Sequence, residues 1–261
     1  FLEITSFNFL ILNLLLFLTT KLSLKYNLVD LPNFRSLHKK NIPNLGGLPI
    51  IFIFYINIIC FTNNLTIGEL FFLTSLLIIS LVGLIDDIYG LSSILRFTIQ
   101  IFVSLIAIYG LYNEDVMLFH KINNSYFYLF CFVIIIFLVW LTNIFNFMDG
   151  INGLVSIKSV LFISAILFLI YNSNANIPQS YKNLFSLCLI ITTLIIFFIP
   201  WNFPSAKIFM GDSLSYFLGF YISFMILILS LISINFLWAS LILLSLFLID
   251  TSYTLINRLI K

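Results

Sequence analysis

The sequence predicts an all-α integral membrane protein, a polytopic helix bundle with about nine transmembrane helices, and three observations carry that reading. Of the 261 residues, 62% are hydrophobic and only 8% are charged, against roughly 45–50% apolar and about 25% charged in a soluble domain. The apolar residues come in blocks of about 16–20, the length a helix needs to cross a hydrocarbon core roughly 30 Å thick. Basic residues gather on alternate connecting segments. Amphipathic soluble helices would carry polar stripes through such blocks. A secretory signal would account for the first block, Phe7 to Thr20, and for none of those that follow.

The nine blocks are centred near Leu14, Phe54, Leu77, Val103, Ile135, Ile163, Leu194, Tyr221 and Leu243. If they alternate in direction, segments 21–45, 86–96, 142–158, 200–213 and 250–261 share one side of the membrane. That side holds ten basic residues (Lys21, Lys25, Arg35, Lys39, Lys40, Arg96, Lys158, Lys207, Arg258 and Lys261), and the other holds only Lys121 and Lys182. The positive-inside bias makes the first side cytoplasmic. Asp30, Asp86, Asp87, Asp149, Asp212 and Asp250 fall on that side as well, five of the six at or beside the ends of apolar blocks. Carboxylates so placed are costly unless paired, metal-bound or hydrated, which marks them as functional candidates. The plainer alternative is acids solvated at helix ends.

Cys60, Cys131 and Cys188 each stand alone in apolar sequence, with no CxxC or Cys/His spacing. They read as packing or lipid-facing residues, not as a disulfide or zinc framework. No fixed-period repeat and no soluble domain is visible.

Four segments on the predicted cytoplasmic side carry chemistry. In "VDLPNFRSLHKKNIPNLGGLPI", residues 29–50, Arg35, His38, Lys39 and Lys40 could hold an anionic headgroup, and Gly46 and Gly47 permit close backbone approach. The same loop also reads as a positive-inside anchor. In "GLIDDIYGLSSILR", Asp86 and Asp87 end one span and Arg96 lies in the first turns of the next. Two adjacent carboxylates in a poorly solvated place call for a divalent cation, a basic partner or a raised pKa.

In "NIFNFMDGINGL", residues 143–154, Asn143, Asn146, Asp149 and Asn152 recur every third position. On a helix this spacing makes a slowly drifting polar stripe. It suits either a magnesium ion with phosphates or hydrogen bonding between helices. In "PWNFPSAKIFMGDSLSYFLGF", residues 200–220, Asp212 follows Gly211 at the start of a span. There it could ligate a metal while free helix N–H groups receive phosphate oxygens, or serve as an N-cap.

These four segments, in this order and over essentially the whole chain, resemble the polyprenyl-phosphate N-acetylhexosamine-1-phosphate transferase superfamily (glycosyltransferase family 4), in particular its surface-polysaccharide-initiating branch. Two positions depart from the family pattern. Asn152 stands where many bacterial members carry Asp, and Leu214 where a Gly is usual.

The resemblance implies a Mg²⁺-dependent glycosyl-1-phosphate transferase, with Mn²⁺ as the alternative ion. Its partners would be a UDP-sugar, a polyprenyl (undecaprenyl) phosphate lipid and the membrane, with no nucleic acid and with a homodimer left open. UMP would be released, and a lipid-linked cell-envelope glycan started, at the cytoplasmic face of the inner membrane. It matches Asp212 and Asn146 to metal ligands, Asp86, Asp87 and Asp149 to catalytic positions, and Asn152, Arg96, His38 and Asn143 to substrate contacts. It also implies that residues 1–261 are a single transmembrane transferase domain, incomplete at the C-terminus and, since the chain begins with Phe1, at the N-terminus too. A competing reading is a secondary transporter or proton-coupled channel with an acidic relay. Such sites tend to lie near the bilayer midplane within repeats, and here the acids cluster at one face.

Overall fold

In hydrocarbon the backbone has no water to bond, so each spanning segment must satisfy its own N–H and C=O groups, and a helix does so. The computed structural model describes residues 2–32, 41–62, 64–114, 124–173 and 182–260. Among them run nine helices: α1 (Leu2–Lys25), α2 (Gly47–Phe61), α3 (Ile67–Tyr89), α4 (Ser93–Asn113), α5 (Asn124–Met148), α6 (Leu154–Ser173), α7 (Lys182–Asn202), α8 (Gly211–Ile232) and α9 (Ile234–Ile260). A two-residue antiparallel ladder, β1 (Val29–Asp30) with β2 (Ile42–Pro43), closes the base of the first loop.

Each predicted block is a helix, but they are not equal. Eight are long and apolar enough to cross a membrane. The ninth, α2, has 15 residues, a length of about 22 Å at 1.5 Å per residue, short of the roughly 30 Å core. Pro49 in its first turn and Thr62 in extended conformation at its end bound it.

Helix α8 is the hub. Every residue from Ser213 to Leu229 is buried, as expected of a helix that is apolar all round. It is packed against α2, α3, α5, α6 and α9. Stacking of Phe72 on Phe224 (centroids 4.0 Å apart) ties α3 to α8, and the edge contact of Phe54 with Phe217 (5.2 Å) ties α2 to it. Gly83 lets α3 approach the first turn of α8 so closely that a Cβ there would collide with the Asp212 carbonyl.

The ends of the helices sort into two sets. The C-termini of α3, α5 and α7 meet the N-termini of α2, α4, α6 and α8 through Asp87–Asp212, Asp86–Arg96, Asn146–Asp212, Gly153–Asn202 and Gly46–Phe209 bonds. At the opposite end Gly68 N–H donates to Glu114 (2.6 Å) and Asn183 donates to Glu69 (2.9 Å). This is the alternation expected from the sequence, and it brings the motif segments to one end. Residues 33–40, with Arg35, His38, Lys39 and Lys40, lie outside the described residues.

Candidate active site

The site forms where α3 ends and α8 begins. Helix α3 stops at Tyr89 because Gly90 takes a left-handed conformation (φ 67°), which costs a glycine little. Ser92 then caps α4 by accepting the Leu95 N–H. This tight turn holds Asp86 and Asp87 on α3 beside Arg96 in the first turn of α4.

Adjacent residues on a helix point about 100° apart, and the two carboxylates find different partners. Asp86 accepts from Arg96 Nη1 at 3.0 Å, from the Leu91 N–H at 2.7 Å and from the Tyr216 hydroxyl at 3.4 Å. Asp87 accepts from the Asn44 amide at 2.9 Å and from the backbone N–H groups of Asp212 (3.0 Å) and Ser213 (3.3 Å). The basic partner expected from the sequence is therefore real for Asp86. Asp87 is balanced instead by the positive end of the α8 dipole. The α8 N–H groups expected to be free for phosphate oxygens are, at these two positions, already occupied by Asp87.

Gly211 makes this meeting sterically feasible. Its φ is +75°, and a Cβ on it would lie 2.6 Å from Asp87 Oδ2 and 2.8 Å from Asn44 Oδ1. Asp212, the next residue, directs its side chain to α5, where Asn146 Nδ2 donates to Oδ1 at 2.6 Å and also reaches Ser215 Oγ at 3.1 Å. Asp212 is not the side-chain N-cap of α8, whose cap position is Met210.

The polar stripe expected along residues 143–152 is broken. Helix α5 ends at Met148, so Asn143 and Asn146 are helical while Asp149 and Asn152 sit in the turn before α6. Gly153 (φ +71°) reverses the chain there, and its N–H donates to Asn202 (2.8 Å). Asn143 is engaged away from the carboxylates, in a reciprocal amide pair with buried Gln100 of α4 (2.6 and 3.4 Å). That is the interhelical role the sequence left as an alternative. Asn152 is half-buried and donates to the Pro204 carbonyl at 3.2 Å.

Asp149 takes no side-chain hydrogen bond among the described residues. Burial, and then the charges of Asp212 and Asp87, hold its carboxyl well above the usual range. Among the described residues no group of three or more His, Cys, Asp or Glu side chains forms a preassembled metal cage. Residues that sequence reasoning passed over are Asn44, Gln100, Asn202 and Tyr216. A glutamine inside the apolar block of α4 is a visible signal, whereas Tyr216 is one of 12 tyrosines and nothing local sets it apart.

A family model described as "Glycosyl transferase family 4" matches residues 70–230, which is most of the chain and runs from the first turns of α3 to the last turn of α8. The chain belongs to glycosyl transferase family 4. Among relatives, a probable undecaprenyl-phosphate N-acetylglucosaminyl 1-phosphate transferase of Bacillus subtilis is 28% identical over 249 residues, covering 92% of this chain and 67% of that protein. An undecaprenyl-phosphate alpha-N-acetylglucosaminyl 1-phosphate transferase of Thermotoga maritima is 29% identical over 214 residues, 79% of this chain and 60% of the relative. One from Yersinia pestis is 30% identical over 218 residues, with 78% and 56% covered. The chain thus spans between 56% and 67% of the length of these relatives. This family 4 member is a multi-pass membrane protein, and the matched region contains every residue of the carboxylate cluster from Asp86 to Asp212.

Proposed function

We propose that this chain belongs to an enzyme that transfers a sugar-1-phosphate, of the N-acetylhexosamine class, from a UDP-sugar to a polyprenyl phosphate. An oxygen of the lipid phosphate would bond to the phosphorus that bears the sugar, the diphosphate bond would break, and UMP would leave. The product is the first lipid-linked intermediate of a cell-envelope glycan. The site would face the cytoplasm, in keeping with the ten-to-two split of basic residues.

The observation that carries this reading is the meeting of Asp87, Asp149, Asp212 and Asn146 around the N-terminus of α8, in a chain whose relatives bear names of this activity. Two anionic phosphates must approach one another, and a bound magnesium or manganese ion would spread their charge. The residues fit such an ion. Asp212 and Asn146 present hard oxygen-bearing side chains side by side, and magnesium is commonly held by one or two carboxylates with waters rather than by a full protein cage.

The chain's own groups divide the remaining work. Asp87 holds the first turn of α8, and with it Asp212, in place. Asp149, which takes no side-chain hydrogen bond among the described residues and lies near Asp212 and Asp87, would be the carboxylate that takes a proton from the lipid phosphate. Arg96, His38 and Asn152 are the proposed contacts to phosphate and nucleotide.

The test is direct. Membranes containing the protein are incubated with undecaprenyl phosphate, Mg²⁺ or Mn²⁺, and a panel of labelled UDP-sugars. A labelled lipid and stoichiometric UMP are expected for at least one sugar. Absence of lipid labelling across the panel would sink the proposal.

A further inference from the structure

Arg96 is held by one corner of its guanidinium. Nη1 donates to Asp86 Oδ2 at 3.0 Å and to the Tyr216 hydroxyl at 3.2 Å, and that hydroxyl is itself 3.4 Å from Asp86 Oδ2. This triangle joins α3, α4 and α8. Nη1 has two hydrogens, and both are used. Nε and Nη2 have no partner among the described residues, and the side chain remains 31% exposed. An edge of this kind is the geometry with which arginine grips a phosphate through two parallel bonds.

Tyr216 itself is 1% exposed, with its ring packed in the core and its hydroxyl at the buried corner of the triangle. The surroundings of Arg96 indicate which phosphate. Ile94, Leu95 and Phe97 are exposed at 77%, 44% and 54%, so the first turn of α4, which carries Arg96, borders the apolar rim of the bundle. Asn152, the proposed nucleotide contact, lies instead at the turn before α6, hydrogen-bonded to the Pro204 carbonyl.

We infer that Tyr216 is a positioning residue that locks Arg96 with its free Nε–Nη2 edge turned to the rim, where it binds the phosphate monoester of the lipid acceptor. The inference rests on the proposed function for its substrate. Its physical content, a phosphate monoester gripped by a pre-set guanidinium, is measurable without turnover. A free arginine would lose rotamer entropy on gripping the ligand, and the Tyr216 bond removes much of that loss beforehand.

The experiment compares wild type with Tyr216→Phe, which keeps the buried ring and deletes only the hydroxyl. Binding of farnesyl phosphate, inorganic phosphate and UDP-N-acetylglucosamine is measured on the purified protein in detergent, and kinetics are run with each substrate varied. Farnesyl phosphate binding should weaken about tenfold in Tyr216→Phe. The KM for the lipid acceptor should rise to match, while kcat and the KM for the nucleotide sugar stay within about twofold.

In wild type, farnesyl phosphate bound no more tightly than inorganic phosphate would move the ligand from the lipid to any free phosphate and overturn the rim assignment. Weaker UDP-sugar binding with lipid binding unchanged would overturn it in favour of the nucleotide. Unchanged binding of all three would overturn the positioning role. If wild type turns over no UDP-sugar yet still shows the farnesyl phosphate difference, the functional reading fails and the positioning role stands.

Discussion

The carboxylate of Asp87 caps helix α8 from another helix. Its Oδ1 accepts the Asp212 N–H at 3.0 Å and its Oδ2 accepts the Ser213 N–H at 3.3 Å. The last turn of α3 thereby fixes the start of the most buried helix in the bundle, and the two acids of the Asp86–Asp87 pair take up different duties.

The first prediction follows from that bond. Replacing Asp87 with Ala removes an anionic cap and should cost about 1–2 kcal/mol of stability. A thermal melt in detergent should show the loss, with Asp87→Asn falling between Ala and wild type. A melting temperature equal to wild type for Asp87→Ala would show that the α8 N-terminus does not depend on it.

Asp212→Asn should remove most activity. An amide supplies a neutral oxygen where the proposed ion needs an anionic one, and losing about 3 kcal/mol of transition-state charge stabilisation corresponds to a loss of at least ~100-fold. Lipid labelling with UDP-sugar at saturating magnesium measures it. Near-normal turnover would exclude Asp212 as a metal ligand.

Gly211→Ala tests the close approach. The left-handed φ of 75° alone costs an alanine roughly 1–2 kcal/mol, and its methyl would have to push Asp87 and Asn44 away. Both stability and turnover should fall. If the variant melts and turns over like wild type, α8 packs more loosely against α3 at this point than these contacts require.

Asp149 makes stability depend on pH in a definite direction. Its carboxyl is held above the usual range in the folded protein by burial and by Asp212 and Asp87, so the folded state binds the proton more tightly than the unfolded one. Stability is then lost as pH rises from the unfolded value, about 4, through the raised folded value. In metal-free buffer Asp149→Asn should be more stable than wild type at neutral pH and should flatten this part of the profile. Parallel profiles for the two proteins would contradict the assignment.

Orientation can be read by labelling. In a background without Cys60, Cys131 and Cys188, a cysteine at exposed Ser205 should react only with reagents that reach the cytoplasm. One at exposed Asn64 should react from the other side. The reverse pattern would place the carboxylate cluster on the outer face.

Much of the site is legible in the amino-acid sequence. Asp86, Asp87, Asp149 and Asp212 stand out because carboxylates are rare in so apolar a chain, and their positions at block ends put them at one boundary. Asn146 is legible from its spacing with Asp149. The same spacing singles out Asn143, yet that residue pairs with Gln100. A periodic pattern names the face of a helix but not the neighbour that meets it. The short length of α2 escapes a hydropathy reading for a similar reason, because apolar sequence does not mark the point where Thr62 leaves the helix.

The sequence by itself determined the helical, membrane-embedded class, the alternation of the helices and the one end that collects Asp86, Asp87, Asp149 and Asp212. Block length, hydropathy and charge bias act locally along the chain, so they can be read locally. Only the tertiary structure decided which partners neutralise each carboxylate. Asn44 and Asp212 reach Asp87 across 43 and 125 residues of chain, and Tyr216 reaches Asp86 across 130. Such pairings depend on how α2, α3, α4, α5 and α8 pack, a cooperative outcome of side-chain shape that no single segment encodes.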